Sequence, residues 1–121
     1  MSKTVLIVED RQEVREASAE MLREQGYRVL EAESGTEAVT LARSEMPDLI
    51  LMDVSIPELN GFDATARLKA LPETSAIPIV AVTALTYDDE RSGAFDGYLA
   101  KPVTPRRLLR EVRTYLAPVP A

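Results

Sequence analysis

Several side chains capable of chemistry stand where an apolar run of this sequence abruptly stops. Glu9 and Asp10 follow Thr4-Val-Leu-Ile-Val8, Asp53 follows Asp48-Leu-Ile-Leu-Met52, Thr83 follows Ile77-Pro-Ile-Val-Ala-Val82, and Lys101 follows Gly97-Tyr-Leu-Ala100. Taken alone, Asp53 reads as an acid that faces solvent or caps the next turn. Its company suggests more. Three carboxylates brought together repel and raise one another's pKa unless a cation relieves them. Mg²⁺ fits that need best, because it takes one or two carboxylates, keeps water and completes its shell with phosphate oxygens. Beside it, Lys101 would neutralise a phosphoryl oxygen as a point charge and Thr83 would donate a hydrogen bond to another. A central carboxylate is then a competent nucleophile that forms an aspartyl phosphate, with the lysine and the ion stabilising the charge spread over the transferring group.

Composition narrows the field further. The chain has no cysteine and no histidine, which removes thiol redox chemistry, disulfides, imidazole general bases and most zinc sites. Any metal should be hard and bound by oxygen. The formal net charge of −6 argues against nucleic acid or an anionic membrane as a partner, since both need a basic footprint. At 121 residues there is room for one domain with a real core and for no second one. No apolar run approaches a membrane span, and Glu9 and Asp10 interrupt the first one too early for a signal-peptide core, so a cytoplasmic location is expected.

For those residues to meet, the elements carrying them must converge. The apolar runs are short and rich in β-branched residues, and they do not alternate, which predicts strands buried on both faces. Helical spacing separates them. Val14, Ala17, Met21 and Leu22 define an apolar stripe over 11–25, with Asp10 and Glu13 placed as a capping-box-like pair and Gly26 as a stop. After a strand over 27–32, Ser34-Gly-Thr-Glu37 is a capping box that opens a helix with Ala38, Leu41 and Ala42 inward, ended by Pro47. Residues 62–71 form a helix ending before Pro72. Pro78 should open the fourth strand, since it has no N–H for a ladder. Residues 87–92 hold only a short helix. Thr104 and Pro105 supply a cap and a first-turn proline for a last helix with Leu108, Leu109, Val112, Tyr115 and Leu116 inward. Strand and helix thus alternate five times, the pattern of a doubly wound parallel α/β sheet, in which ligands sit beyond the carboxyl ends of the strands. The acids, Thr83 and Lys101 all fall at that end. Arg106, Arg107, Arg110 and Arg113 on the last helix read most simply as a solvated face, and alternatively as an ion-pairing or dimer surface.

In this order, Val5-Leu-Ile-Val-Glu-Asp10, Pro47-Asp-Leu-Ile-Leu-Met-Asp53 with Pro57 and Gly61 following, Thr83-Ala84 and Gly97-Tyr-Leu-Ala-Lys-Pro102 resemble the receiver domain of two-component response regulators. The likeness is greatest to stand-alone regulators of the CheY and DivK type. It spans 1–117 and leaves 118–121 as a short tail. The resemblance implies a flavodoxin-like (βα)5 fold with strand order 2-1-3-4-5. It implies that Asp53 accepts a phosphoryl group from a histidine kinase or histidine phosphotransfer protein. Glu9, Asp10, Asp53 and the backbone carbonyl of Ser55 would bind Mg²⁺, and Thr83 and Lys101 would contact the phosphoryl oxygens. Lys101-Pro102 would be a cis peptide. Thr83 moving toward the phosphoryl group would let Tyr98 turn inward, switching a surface that binds a downstream protein, with the chain a monomer or weak homodimer.

Two departures from the family pattern stand out. Thr83 and Lys101 are closer in sequence than is usual, which predicts a shortened fourth helix, and Gly93-Ala-Phe-Asp-Gly97 moves the glycine that would end it. Phe95 is expected to fill the space so opened. Other readings remain open on the residues. A Mg²⁺-dependent phosphatase of the haloacid-dehalogenase type shares the strand-end Asp, hydroxyl and Lys, but wants a second Asp where Ser55 stands and a longer chain. An interaction-only receiver would need none of the reactive set. A flavodoxin-like electron carrier lacks its hydroxyl-rich phosphate loop here.

Overall fold

The computed structural model describes residues 3–84 and 94–116. Five strands, β1 (Thr4–Val8), β2 (Arg28–Ala32), β3 (Leu49–Asp53), β4 (Ile79–Thr83) and β5 (Gly97–Ala100), alternate with helices α1 (Gln12–Glu24), α2 (Gly35–Glu45), α3 (Gly61–Ala70) and α4 (Pro105–Tyr115). Every strand pair is parallel, in the order β2-β1-β3-β4-β5. This is the doubly wound, flavodoxin-like arrangement expected. The short helix expected over 87–92, and with it the shortening inferred there, lies outside the described residues, as does the tail from 117 onward.

The apolar runs fail to alternate because both faces of the sheet are covered. Leu6 and Val8 of β1, Ile50 and Met52 of β3, and Ile79 and Ala81 of β4 pack with α2 and α3. Their neighbours Val5, Ile7, Leu49, Leu51 and Val80 pack with α1 and α4 on the other side. β1 and β3 are buried at every position. Each such aliphatic side chain contributes about 1.5–3 kcal/mol by leaving water, so these central strands anchor whatever stands at their ends.

The helix starts explain how the loops are aimed. Ser34 caps α2 by accepting from the Glu37 N–H at 3.1 Å, while the Glu37 carboxylate accepts from Glu33 N–H at 2.9 Å. The box therefore closes one residue earlier than expected. Thr104 caps α4 through the Arg107 N–H at 3.2 Å, with Pro105 first in the helix. Pro78 directly precedes β4, and its carbonyl accepts from the Ile50 N–H at 3.0 Å. Asn60, whose turn-rich segment gave no hint of a specific role, caps α3 by accepting from Asp63 N–H at 3.0 Å.

Two expectations for α1 need correction. Arg11, not Asp10, occupies its N-cap and supplies no side-chain cap bond. The Glu9 carboxylate draws in the Arg11 N–H at 3.1 Å, so the chain turns one residue later and the Asp10 carboxylate is left exposed. The inward stripe is also rotated. Ala19 and Leu22 are buried, whereas Val14 is 40% exposed and Ala17 lies on the surface. Arg15 takes the inner position instead, donating to the Glu9 carbonyl at 2.9 Å and to Glu31 at 3.3 Å. On α4, Leu108, Val112 and Leu116 are buried as expected, with Leu109 and Tyr115 partly so.

Candidate functional site at the carboxyl ends of the strands

β1 and β3 are hydrogen-bonded neighbours in register, Val8 opposite Met52. That pairing brings Glu9 and Asp10, just past one strand, beside Asp53 at the end of the other. Carboxylate oxygens of Glu9, Asp10 and Asp53 lie within 4.8 Å of one another. β4 contributes Thr83 as its last residue, level with Ala100 of β5. The Lys101 N–H donates to the Thr83 carbonyl at 3.0 Å, which extends the ladder one residue and directs the lysine across the strand ends. The Lys101–Pro102 peptide is cis, as expected.

Asp53 is 2% exposed and bonded on both oxygens. Its Oδ2 accepts from Lys101 Nζ at 2.8 Å and its Oδ1 from the Ser55 N–H at 2.9 Å. The same ammonium is 3.8 Å from Glu9 Oε1. Glu9, also buried, accepts from the Arg11 N–H and at 3.2 Å from its guanidinium. These surroundings push the two acids apart. Burial raises the Asp53 carboxyl above its ordinary value, with Glu9 adding to the rise; Lys101 and the Ser55 N–H oppose this without cancelling it. Burial acts upward on Glu9 too, but the hydrogen bonds from Arg11, with smaller contributions from Asp10 and Lys101, hold it below the ordinary carboxylate value.

The loop after Asp53 depends on close backbone approach. A Cβ on Gly61 would lie 2.5 Å from Val54 Cα and 2.6 Å from the Asp53 carbonyl oxygen. The Gly61 N–H donates to the Val54 carbonyl at 3.2 Å, so the start of α3 is pressed against the residue that follows the acid. Glu58 and Leu59 take positive φ angles of 47° and 74°. Their segment is tied to α2 by Thr36, whose N–H and hydroxyl both donate to the Glu58 carbonyl at 3.0 Å. A crevice of about 530 Å³ opens beside Asp53 and Lys101, walled on its apolar side by Val14, Val82 and Val103.

The structure therefore brings together Glu9, Asp10, Asp53 and Lys101, with Thr83 at the neighbouring strand end. Ser55 joins them through its N–H. Tyr98 sits apart, two positions before the end of β5. Its ring packs edge-on against Phe95, with centroids 5.8 Å apart, and Phe95 in turn packs against Phe62 at 5.5 Å. Phe95 is buried and bridges α3 to β5; the shortened helix whose space it is expected to fill lies outside the described residues. Sequence reasoning missed Arg11 and Arg15, both of which grip Glu9. The available signal was a basic residue directly after two acids, read there only as the first residue of a helix.

Comparison with known proteins agrees with this geometry. Residues 5–113 match the response regulator receiver domain. The polar-differentiation response regulator DivK of Brucella ovis is 38% identical over 120 residues, covering 96% of this chain and 98% of DivK. Protein PilH of Pseudomonas aeruginosa is 45% identical over 120 residues, covering 93% and 97% respectively. Among solved structures, the receiver domain of the sensor histidine kinase PA1611 of Pseudomonas aeruginosa superposes with a TM-score of 0.86 and 34% identity over 95% of this chain and 98% of its own. That structure has a magnesium ion coordinated in its active-site cleft. With residues 5–113 matched to the family and relatives of 38–45% identity covered over nearly their whole length, the chain belongs to the response regulator receiver domains of two-component signalling.

Proposed function

We propose that Asp53 is the phosphoacceptor of this receiver, taking a phosphoryl group from the phosphohistidine of a kinase or phosphotransfer protein. The observation that carries this is a buried carboxylate held at 2.8 Å by a lysine, with two further acids clustered beside it. One Asp53 oxygen attacks phosphorus as the donor's P–N bond breaks, and the imidazole nitrogen departs with the electron pair. Lys101 then follows the negative charge from the carboxylate to a phosphoryl oxygen, and the Thr83 hydroxyl donates to another. The Ser55 N–H keeps the carboxylate from rotating during attack.

The donor set is all oxygen, and its two buried acids have one shared ammonium between them. That suits Mg²⁺. Glu9, Asp10, Asp53 and the Ser55 carbonyl would hold the ion, which when bound neutralises charge building on the transferring phosphoryl oxygens. Displacement of Thr83 toward the phosphoryl group would release the packing of Tyr98 on Phe95 and alter the surface around β5, the readout for a downstream protein.

The deciding experiment is incubation with acetyl phosphate and Mg²⁺, reading incorporated phosphate by intact mass. Wild type takes up one phosphoryl group, Asp53→Asn takes up none, and chelation of Mg²⁺ stops uptake. Uptake that persists in Asp53→Asn refutes the assignment.

A further inference from the structure

We propose that Arg11 competes with Mg²⁺ for Glu9, so that the ion binds this receiver only by displacing the guanidinium from the carboxylate. The inference rests on the reading of Glu9, Asp10 and Asp53 as the Mg²⁺ site, and it names what the ion must overcome there.

Arg11 is an unfavourable residue for its place in the chain. It stands at the N-cap of α1 and gives that helix no side-chain bond. A cap calls for an oxygen acceptor, and a cation there faces the positive end of the helix dipole. The side chain turns to Glu9 instead. The Arg11 N–H and Nε donate to Glu9 Oε2 at 3.1 Å and 3.5 Å, and its Nη2 donates to Oε1 at 3.2 Å. An ionised carboxylate has about four acceptor positions. Arg11 faces three of those on Glu9, and Lys101 stands 3.8 Å from Oε1. The guanidinium also feels the rest of the cluster. Its hydrogen bond to Glu9 and the charge of Glu9, with burial opposing and smaller contributions from Asp53 and Asp10, hold its proton above the ordinary arginine value.

Charge and exposure decide which cation yields. Among the described residues, Lys101 and Arg11 are the two side-chain cations that reach the cluster of three acids. The cluster is therefore one positive charge short, and a divalent ion takes it to one over. Lys101 is held at 2.8 Å by the buried Asp53 and its side chain is 23% exposed. The Arg11 side chain is 58% exposed and returns to water at little cost. Mg²⁺ draws its oxygens in to about 2.0–2.1 Å in near-octahedral order, too tight to share them with a guanidinium fork. Arg11 also lines the crevice beside Asp53 and Lys101, so a displaced side chain has space to enter. The bond from its backbone N–H to Glu9 Oε2 does not depend on the side chain, so the carboxylate keeps its aim when the guanidinium leaves.

Calorimetric titration with MgCl₂ and thermal unfolding, both at neutral pH, provide the test. Arg11→Gln should bind Mg²⁺ about tenfold tighter than wild type, the worth of one charge-assisted hydrogen bond. Its Tm should lie below that of wild type in chelator and draw level at saturating Mg²⁺, because only the ion-free protein loses a contact. Arg11→Lys keeps the charge without the planar fork, so its affinity should fall between the two. Phosphate uptake from acetyl phosphate should reach half its maximum at a lower Mg²⁺ concentration in Arg11→Gln than in wild type. Unchanged Mg²⁺ affinity in Arg11→Gln overturns the proposal, and so does weaker affinity, which would make Arg11 an orienting group for Glu9. A loss of Tm that Mg²⁺ leaves in place overturns it too, as the mark of a merely structural contact. Asp10→Asn tells this apart from failure of the underlying reading. If it loses Mg²⁺ binding while Arg11→Gln gains none, only the role of Arg11 falls; if it binds the ion as well as wild type does, the strand-end site falls with it.

Discussion

Lys101 serves two buried acids with one ammonium, 2.8 Å from Asp53 and 3.8 Å from Glu9. Replacing it by methionine keeps the aliphatic stem but leaves both carboxylates without their common counter-charge. Breaking a buried pair costs about 3–5 kcal/mol; because the lysine side chain is 23% exposed, solvent screening lowers the expected loss to about 2 kcal/mol at neutral pH. Urea denaturation of Lys101→Met should show this loss at pH 7 and a smaller one in acid, where the carboxyls take up protons. The two acids should respond to pH in opposite senses. Asp53 has a folded-state pKa raised above its ordinary 3.8, so the native state holds that proton more tightly than the unfolded chain does. Its ionisation therefore opposes folding once the pH passes the folded pKa, and the penalty fades as pH falls back through that value. Asp53→Asn should raise Tm at pH 7 in metal-free buffer and lose that advantage in acid. Lys101 is not stranded by the change, since Glu9 remains. Glu9 has a folded pKa below its ordinary 4.5, so its stabilisation is present above that ordinary value and lost as pH falls through the lowered one. Glu9→Gln should accordingly be less stable than wild type at pH 7 and converge with it in acid. A pair of variants shifting in the same direction at pH 7 would contradict the opposed environments.

At the scale of elements, the site depends on how tightly loops seat against strand ends. Gly61→Ala should cost about 1–3 kcal/mol and slow phosphate uptake, because the new methyl meets the backbone of Asp53 and Val54, which cannot yield as a flexible side chain would. Thr104→Ala removes only the cap on Arg107 N–H; a loss of about 1 kcal/mol with little change in uptake separates general destabilisation from damage to the acid's seat. The elements themselves were legible for a related reason. Leu49 to Met52 could not be an amphipathic strand, so Asp53 had to be where a doubly covered strand emerges, and the same reasoning placed Glu9 after β1. The facing of α1 was less legible. Val14, Ala17 and Met21 satisfy a helical stripe as well as Ala19 and Leu22 do, and the choice between them rests on Arg15 reaching the Glu9 carbonyl and Glu31. Those partners lie on other elements, so local periodicity carries no trace of them. The cap of α1 escaped for a similar reason, since Glu9 captures Arg11 before Asp10 can act on the helix.

At the scale of the molecule, the acids belong to sequence positions more than forty residues apart and meet only when β1 and β3 pair. The unfolded chain cannot assemble that oxygen cluster, so binding Mg²⁺ there should stabilise the whole domain by mass action. At a hundred times the dissociation constant the gain is about 2.7 kcal/mol, which at ~4 °C per kcal/mol for a domain of this size should raise Tm by about 10 °C and be reversed by a chelator. Charge relief adds a signature of its own. Asp10 is exposed and caps no helix, so Asp10→Asn should leave metal-free stability within about 0.5 kcal/mol of wild type while removing most of the Mg²⁺ shift. Asp53→Asn should start from a higher metal-free Tm and respond weakly to the ion, so that saturating Mg²⁺ reverses the order of stability between it and wild type. Differential scanning calorimetry of the three proteins with and without Mg²⁺ reads all of this at once. An equal Mg²⁺ shift in all three would place the ion elsewhere on an acidic surface, and the cluster at the strand ends would lose its role.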